Sequence, residues 1–305
     1  MTQPSTPTTS ADATRGFYHA LMAYGFWGFL PLYMKAVAHI SPLEVVAHRI
    51  LWSVPVAGLI LLAMRRTADI RAAFAQPRML LMAALTASVI TLNWTIYVWA
   101  IGAERTVETA LGYYFNPLVS MALGAILLGE RFNRYQLVAI ALAVVAVAVL
   151  TIASGGLPWV SLVLAFSFAA YGYLRKTLPV GPSQGFFLEV LILSVPSLGY
   201  LVWLWMQGDN SFAFDRPLDD LLLMLAGPVT AIPLILYASG AKLLRLSTIG
   251  IMQYIAPTII AIIGVAVFGE PFGPARIAAF MLIWIALALY TWSMFYARPP
   301  ATDAR

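Results

Sequence analysis

The stretch PLEVVAHRILWSVPVAGLILLAM, residues 42–64, decides how the rest of the chain is read. From Ile50 onward it holds no charged residue. As a helix rising about 1.5 Å per residue, it is long enough to cross a hydrocarbon core about 30 Å thick. Yet Glu44, His48 and Arg49 stand in its first half. Arg49 falls roughly 10 Å along the helix axis. An ionised group near a span centre costs about 2.5–3.5 kcal/mol on insertion scales. Two readings of Arg49 are therefore open: it faces a wet, polar cavity, or its long side chain snorkels outward. Glu44 and His48 share one helix face and can form an i,i+4 pair.

The chain around this stretch has the same character. Its 305 residues are 61% hydrophobic and 10% charged, and the mean hydropathy is +0.85. A soluble domain carries about 25% charged residues, so this chain lacks the polar groups to cover itself in water. The lipid bilayer is its expected solvent. Ten apolar runs qualify as spans: 17–37, 42–64, 79–101, 107–128, 134–153, 157–176, 183–206, 218–240, 247–268 and 275–296. The expected fold is an all-α integral membrane protein of ten transmembrane helices. A polar segment, 1–16, rich in Ser, Thr and Pro, reads as a disordered cytoplasmic tail, and 297–305 as a second tail. The first apolar run has no basic segment before it and no small-residue cleavage site after it, so it reads as a retained helix.

Orientation comes from the placement of Lys and Arg. With the N-terminus inside, thirteen basic residues fall on inner segments and Lys35, Arg105, Arg216 and Arg276 on outer ones. The outer connection 209–220 adds four aspartates. Both termini are expected to be cytoplasmic. The net charge of +5 thus reports topology, and no nucleic acid partner is expected.

The chain also repeats. YYFNPLVSMALGAILLGERF (113–132) aligns with QYIAPTIIAIIGVAVFGEPF (253–272) at a shift of 140 residues. Tyr114 meets Tyr254, Pro117 meets Pro257, Gly129-Glu130 meets Gly269-Glu270, and Phe132 meets Phe272. The same shift pairs Pro42 with Pro182, Arg49 with Glu189 and Tyr97 with Tyr237. Spans one to five, 17–153, therefore duplicate as 157–296. Five is odd, so the second copy must be inverted, the two inverted five-helix repeats of many secondary transporters. The Gly-Glu pairs read as helix ends that close tight hairpins.

The chain has no cysteine, which excludes a disulfide framework, a thiolate metal site and a cysteine nucleophile. HExxH, Walker and CxxC motifs are absent, and GPSQG (181–185), which has GxSxG spacing, opens an apolar run rather than following a strand. His19, His39 and His48 lack metal-ligand partners at useful spacing. No catalytic residue, metal or cofactor is expected. The informative polar residues lie inside spans: Glu44, His48 and Arg49, then Asn93, Asn116, Glu189 and Gln253. Arg49 and Glu189 would approach the midplane from opposite faces of an inverted repeat, within reach of each other or of a shared cavity. Trp94, Tyr113 and Tyr254 lie beside these groups, whereas interfacial belts account for aromatics at span ends. Polar groups with aromatic neighbours fit a pocket for a small, partly apolar organic molecule. Prolines at depth, among them Pro117 and Pro257 at matching places, point to the same region. A protonatable Glu44 or His48 suits a coupling role.

The strings AHRILWS (47–53), NWTIYVWA (93–100), ALGYYFNPL (110–118), LLGERF (127–132), LAFSFAAYG (164–172) and RLSTIGIMQYIAPT (245–258) resemble the RarD group of the EamA family of drug/metabolite transporters. The resemblance runs from about Phe17 to Trp292. It implies ten helices in two inverted repeats around a central cavity, in the plasma (inner) membrane. Helices five and ten are associated with dimer contacts in that superfamily, so a homodimer is an expectation of the resemblance alone. The expected function is a secondary transporter exporting small organic metabolites or drug-like compounds by alternating access. Arg49, Asn93, Trp94, Tyr113, Asn116, Glu189, Gln253 and Tyr254 are its expected substrate-binding residues, with Glu44 and His48 as coupling residues. The competing readings are a non-transporting membrane receptor or assembly partner, and an integral-membrane enzyme.

Overall fold

The computed structural model describes residues 10–63, 76–128, 133–177, 181–212, 214–244 and 252–296. The GERF string at 129–132, where a hairpin was expected, and the RLSTIGI string at 245–251 lie outside these residues. The described chain is helical throughout, with no strand. Its helices are α1 Ser10–Ala36, α2 Pro42–Ala63, α3 Pro77–Gly102, α4 Thr106–Leu128, α5 Arg134–Ser154, α6 Trp159–Thr177, α7 Pro182–Gln207, α8 Pro217–Leu243, α9 Ile255–Ile262 and α10 Pro274–Tyr296. A π-helical turn, Ile263–Val267, continues α9.

Local chemistry explains most of these boundaries. Pro77, Pro182 and Pro217 open their helices, where a missing N–H breaks no intrahelical bond. Asn133 and Gln136 form a reciprocal capping box at the start of α5. Gly155 and Gly208 end α5 and α7 in the left-handed conformation that glycine adopts without strain. α1 departs from expectation, because it starts at Ser10 inside the expected tail. Asp12 in its first turn complements the helix dipole, and Gly16 in the second turn lies against Leu243, docking that turn on α8. Pro257 was expected deep in a span. It occupies the first turn of α9 instead, where it causes no kink.

Large apolar side chains such as Leu59, Leu81, Ile152 and Met206 are exposed around the bundle, as a lipid-facing surface requires. The protein is a multi-pass membrane protein. Among the described residues α2, α3, α5, α7, α8 and α10 are long and apolar enough to cross a bilayer, while α6 and α9 contribute shorter apolar stretches. The ten expected spans thus correspond to ten helices, and six of them meet the requirement for a full crossing by themselves.

α2 packs on α7 and α8, α3 on α6 and α7, and α1 on α8 and α9. α4 packs on α6 and α9, and α5 pairs with α10. The α2–α8 contact depends on Gly227. A Cβ there would lie 2.2 Å from the backbone oxygen of Trp52, closer than any side chain tolerates. This approach brings the second half of α8 alongside Arg49.

Candidate functional site

A cavity of about 660 Å³ lies within the bundle, walled by α1–α4, α6–α9 and Gln253 just before α9. That volume suits a small organic ligand. Arg49 stands in the first half of α2, whereas Ile60, Arg175 and Tyr237 stand near the ends of α2, α6 and α8, and Ser183 in the first turn of α7. The cavity therefore runs from Arg49 toward the end of the bundle where α2, α6 and α8 finish.

The opposite end is tied shut. The Glu44 carboxylate accepts the backbone N–H of Ser211 at 2.6 Å and its hydroxyl at 2.9 Å. Phe212 lies against the His48 ring, with centroids 5.2 Å apart. The Tyr33 hydroxyl donates to the Leu222 carbonyl at 2.6 Å. The Glu270 carboxylate accepts the N–H groups of Thr106 at 2.6 Å and Val107 at 2.9 Å, capping α4. Gly269, at φ 69°, makes the turn that presents Glu270. At Gly269-Glu270 the expected turn role holds for the glycine, while the glutamate reaches across to another helix; Gly129-Glu130 lies outside the described residues.

Arg49 is 5% exposed and belongs to the cavity wall. Its Nε donates to Thr230 Oγ1 at 2.7 Å, and the Thr230 hydroxyl donates in turn to the Ala226 carbonyl at 2.8 Å. The guanidinium carbon sits 4.5 Å from the centroid of the Trp94 ring, within cation–π range. Tyr33, Tyr97 and Tyr113 lie within electrostatic reach of it. Arg49 Nη1 and the Tyr97 hydroxyl are buried without a hydrogen-bond partner.

The expected approach of Glu189 to Arg49 does not occur. Glu189 accepts the Tyr171 hydroxyl at 3.0 Å and lies 3.5 Å from Arg175 Nη1. Tyr171 and Arg175 line the cavity, with Glu189 behind them. The two register mates sit on packed helices, but each finds a nearer partner. Glu44 and His48 likewise form no ion pair among the described residues. Glu44 is drawn to Ser211, and His48 Nδ1 is buried without a partner. Neither belongs to the cavity wall.

Asn93, Trp94, Tyr113, Asn116 and Gln253 do line the cavity with Arg49. Asn93 is largely committed: its Nδ2 donates to the Leu164 carbonyl at 3.1 Å and Ser167 Oγ at 2.9 Å, holding α3 to α6. Tyr113 reaches Asn93 Oδ1 at a long 3.4 Å. Tyr254 is separated from this group. It stacks on Tyr114 at 6.4 Å and lines a second cavity of about 430 Å³ with Thr258, Trp284 and Trp292. Sequence reasoning missed Thr230, Tyr97 and Arg175 as functional candidates and read Glu270 only as part of a hairpin end. Tyr97 carried a signal through its register mate Tyr237, which also lines the cavity, and Glu270 through its register mate Glu130.

An all-helical bundle with an apolar outer surface, around a largely apolar cavity that holds a few polar groups, defines the class as a multi-pass membrane protein. Comparison with known proteins places it further. The model of the EamA-like transporter family matches residues 14–152, α1 to nearly the end of α5. Protein RarD of Streptomyces exfoliatus is 46% identical over 91% of this chain and 88% of its own length. An uncharacterized transporter of Vibrio cholerae is 36% identical over 96% and 97%. The chloramphenicol-sensitive protein RarD of Pseudomonas aeruginosa is 34% identical over 91% and 94%. A crystal structure shares the fold at a TM-score of 0.59 and 20% identity, covering 95% of this chain and 99% of the other. The chain belongs to the RarD group of the EamA family and is a membrane transporter.

Proposed function

We propose that the protein is a secondary transporter that exports small organic metabolites or drug-like compounds across the plasma membrane by alternating access. The observation that carries this reading is the asymmetry of the cavity among the described residues: it runs toward one end of the bundle, while hydrogen bonds tie the other. By the distribution of Lys and Arg, the reached end is cytoplasmic, as are both termini. The conformation is then inward-facing.

Two inverted repeats, α1–α5 and α6–α10, supply the rocking units. Helix packing supports this. Exchanging α1–α5 with α6–α10 converts the α1–α8 contact into α6–α3, α2–α8 into α7–α3, and α4–α6 into α9–α1, all of which occur. α2–α7 and α5–α10 map onto themselves. The stacked pair Tyr114 and Tyr254 are register mates across the same exchange.

In this reading Arg49, Trp94, Tyr113, Asn116 and Gln253 contact the cargo. Asn93 positions Tyr113, and Glu189 holds Arg175. Glu44 and His48 act in closing the outer end, which is where proton coupling would enter. The test is uptake and efflux in proteoliposomes against a metabolite mixture, read by mass spectrometry, with and without an imposed proton gradient. Movement of a compound that requires the protein supports the proposal. No movement under either condition, with folded protein, overturns it.

A further inference from the structure

The transporter reading leaves the cargo undefined, but the cavity wall carries a charge. Arg49 and Arg175 are its cationic residues. Arg175 is accompanied by the Glu189 carboxylate at 3.5 Å. Arg49 has no carboxylate partner among the described residues. Its Nε is engaged by a neutral hydroxyl, its face by Trp94, and its Nη1 by nothing. We propose that the cavity binds an organic monoanion, a carboxylate on an apolar body, with the carboxylate at Arg49 and the Tyr97 hydroxyl.

The argument is electrostatic and geometric. A guanidinium buried in an apolar bundle without a counter-charge is costly. A carboxylate entering the cavity supplies that counter-charge, whereas an ammonium adds repulsion. One uncompensated positive charge matches one negative charge and undercompensates a dianion. Thr230 and Trp94 hold the guanidinium in place, so its unpartnered Nη1 is pre-set for a carboxylate oxygen. Tyr97 adds an O–H donor that the protein leaves unused. Beyond this pole Trp27, Tyr113, Phe168 and Phe186 make much of the wall apolar and aromatic, interrupted by Asn116 and Gln253. The cavity thus has a charged head position and an apolar body position.

This inference rests on the transporter reading for its purpose, yet binding tests it separately. The probes are 3-phenylpropionate, its neutral amide and 3-phenylpropylamine, three ligands on one skeleton. They are titrated against the purified full chain in lipid nanodiscs, by thermal shift and tryptophan fluorescence. The carboxylate is expected to bind roughly tenfold or more tightly than the amide, the scale of one charge-assisted hydrogen bond, and the amine not to bind. Arg49→Gln is expected to erase the preference for the carboxylate. Thr230→Val keeps the guanidinium charge but releases its anchor, and should weaken carboxylate binding severalfold, even if Arg49→Gln fails to fold. Equal binding of amide and carboxylate, preference for the amine, no binding of the carboxylate, or an unchanged preference in either variant overturns the proposal. Carboxylate-selective binding with no compound of the metabolite mixture moved in proteoliposomes would defeat the transporter reading alone.

Discussion

The Glu270 carboxylate accepts the N–H of Thr106 at 2.6 Å, joining residues 164 apart in sequence. With the Val107 N–H at 2.9 Å, it gives α4 the N-terminal cap that its own sequence lacks. The π-helical turn after α9 brings Gly264 against Thr106 and Val107, so the glutamate arrives where the orphan N–H groups point.

Removing this cap should loosen the closed end. Glu270→Ala is expected to cost about 2 kcal/mol, from loss of charge-assisted bonds to a helix terminus. Glu270→Gln should cost less, because its amide oxygen still accepts. Thermal melting measures the loss. Faster amide hydrogen exchange confined to the first turn of α4 would locate it.

The direction in which the cavity faces can be read from one introduced thiol. The chain has no cysteine, so a single cysteine reports without background. A Cβ at Gly172 meets no atom within 4 Å, and Gly172 lines the cavity. Gly172→Cys is expected to fold normally and to react with an impermeant maleimide in inside-out vesicles. Faster labelling in right-side-out vesicles would reverse the assigned orientation.

Gly227 should tolerate no side chain. Even alanine places a Cβ 2.2 Å from the Trp52 oxygen and 2.3 Å from its carbon, so α2 and α8 must separate. Gly227→Ala is expected to lower the melting temperature by several degrees, as an overpacking cost of about 1–3 kcal/mol implies. Gly227→Val should give little folded protein by size-exclusion chromatography.

Arg175, Glu189 and Tyr171 form a unit, so their substitutions should not add. Glu189→Gln leaves a cation at the wall without its carboxylate and should be more destabilising than the double change with Arg175→Gln. A double-mutant cycle on melting should give a coupling of about 1 kcal/mol. Additive effects would show that the 3.5 Å pair contributes nothing.

The legible part of the site was its polar inventory. Arg49, Asn93, Asn116 and Gln253 stood out because lipid makes such groups rare, and they do share one cavity. Their partners were not legible. Register offered Arg49 and Glu189 either a pair or a shared cavity, and helix spacing offered a pair of Glu44 with His48; neither pair forms among the described residues. Spacing places two groups on one face, but a third group closer in the fold captures the bond, as Ser211 does for Glu44. Tyr254 was assigned to the cavity as an aromatic inside a span, but depth does not fix direction, and it stacks on Tyr114 instead.

Solvent and helix positions were determined by the sequence itself. Both follow from short-range properties: the apolar length needed to span lipid, proline at helix starts and glycine at helix ends. Tertiary structure alone decided which polar groups meet. Arg49 is anchored by Thr230, 181 residues away, because Gly227 lets α8 approach α2. A buried donor must find an acceptor within about 3 Å. That acceptor is chosen by where two distant helix faces touch, which no local pattern encodes.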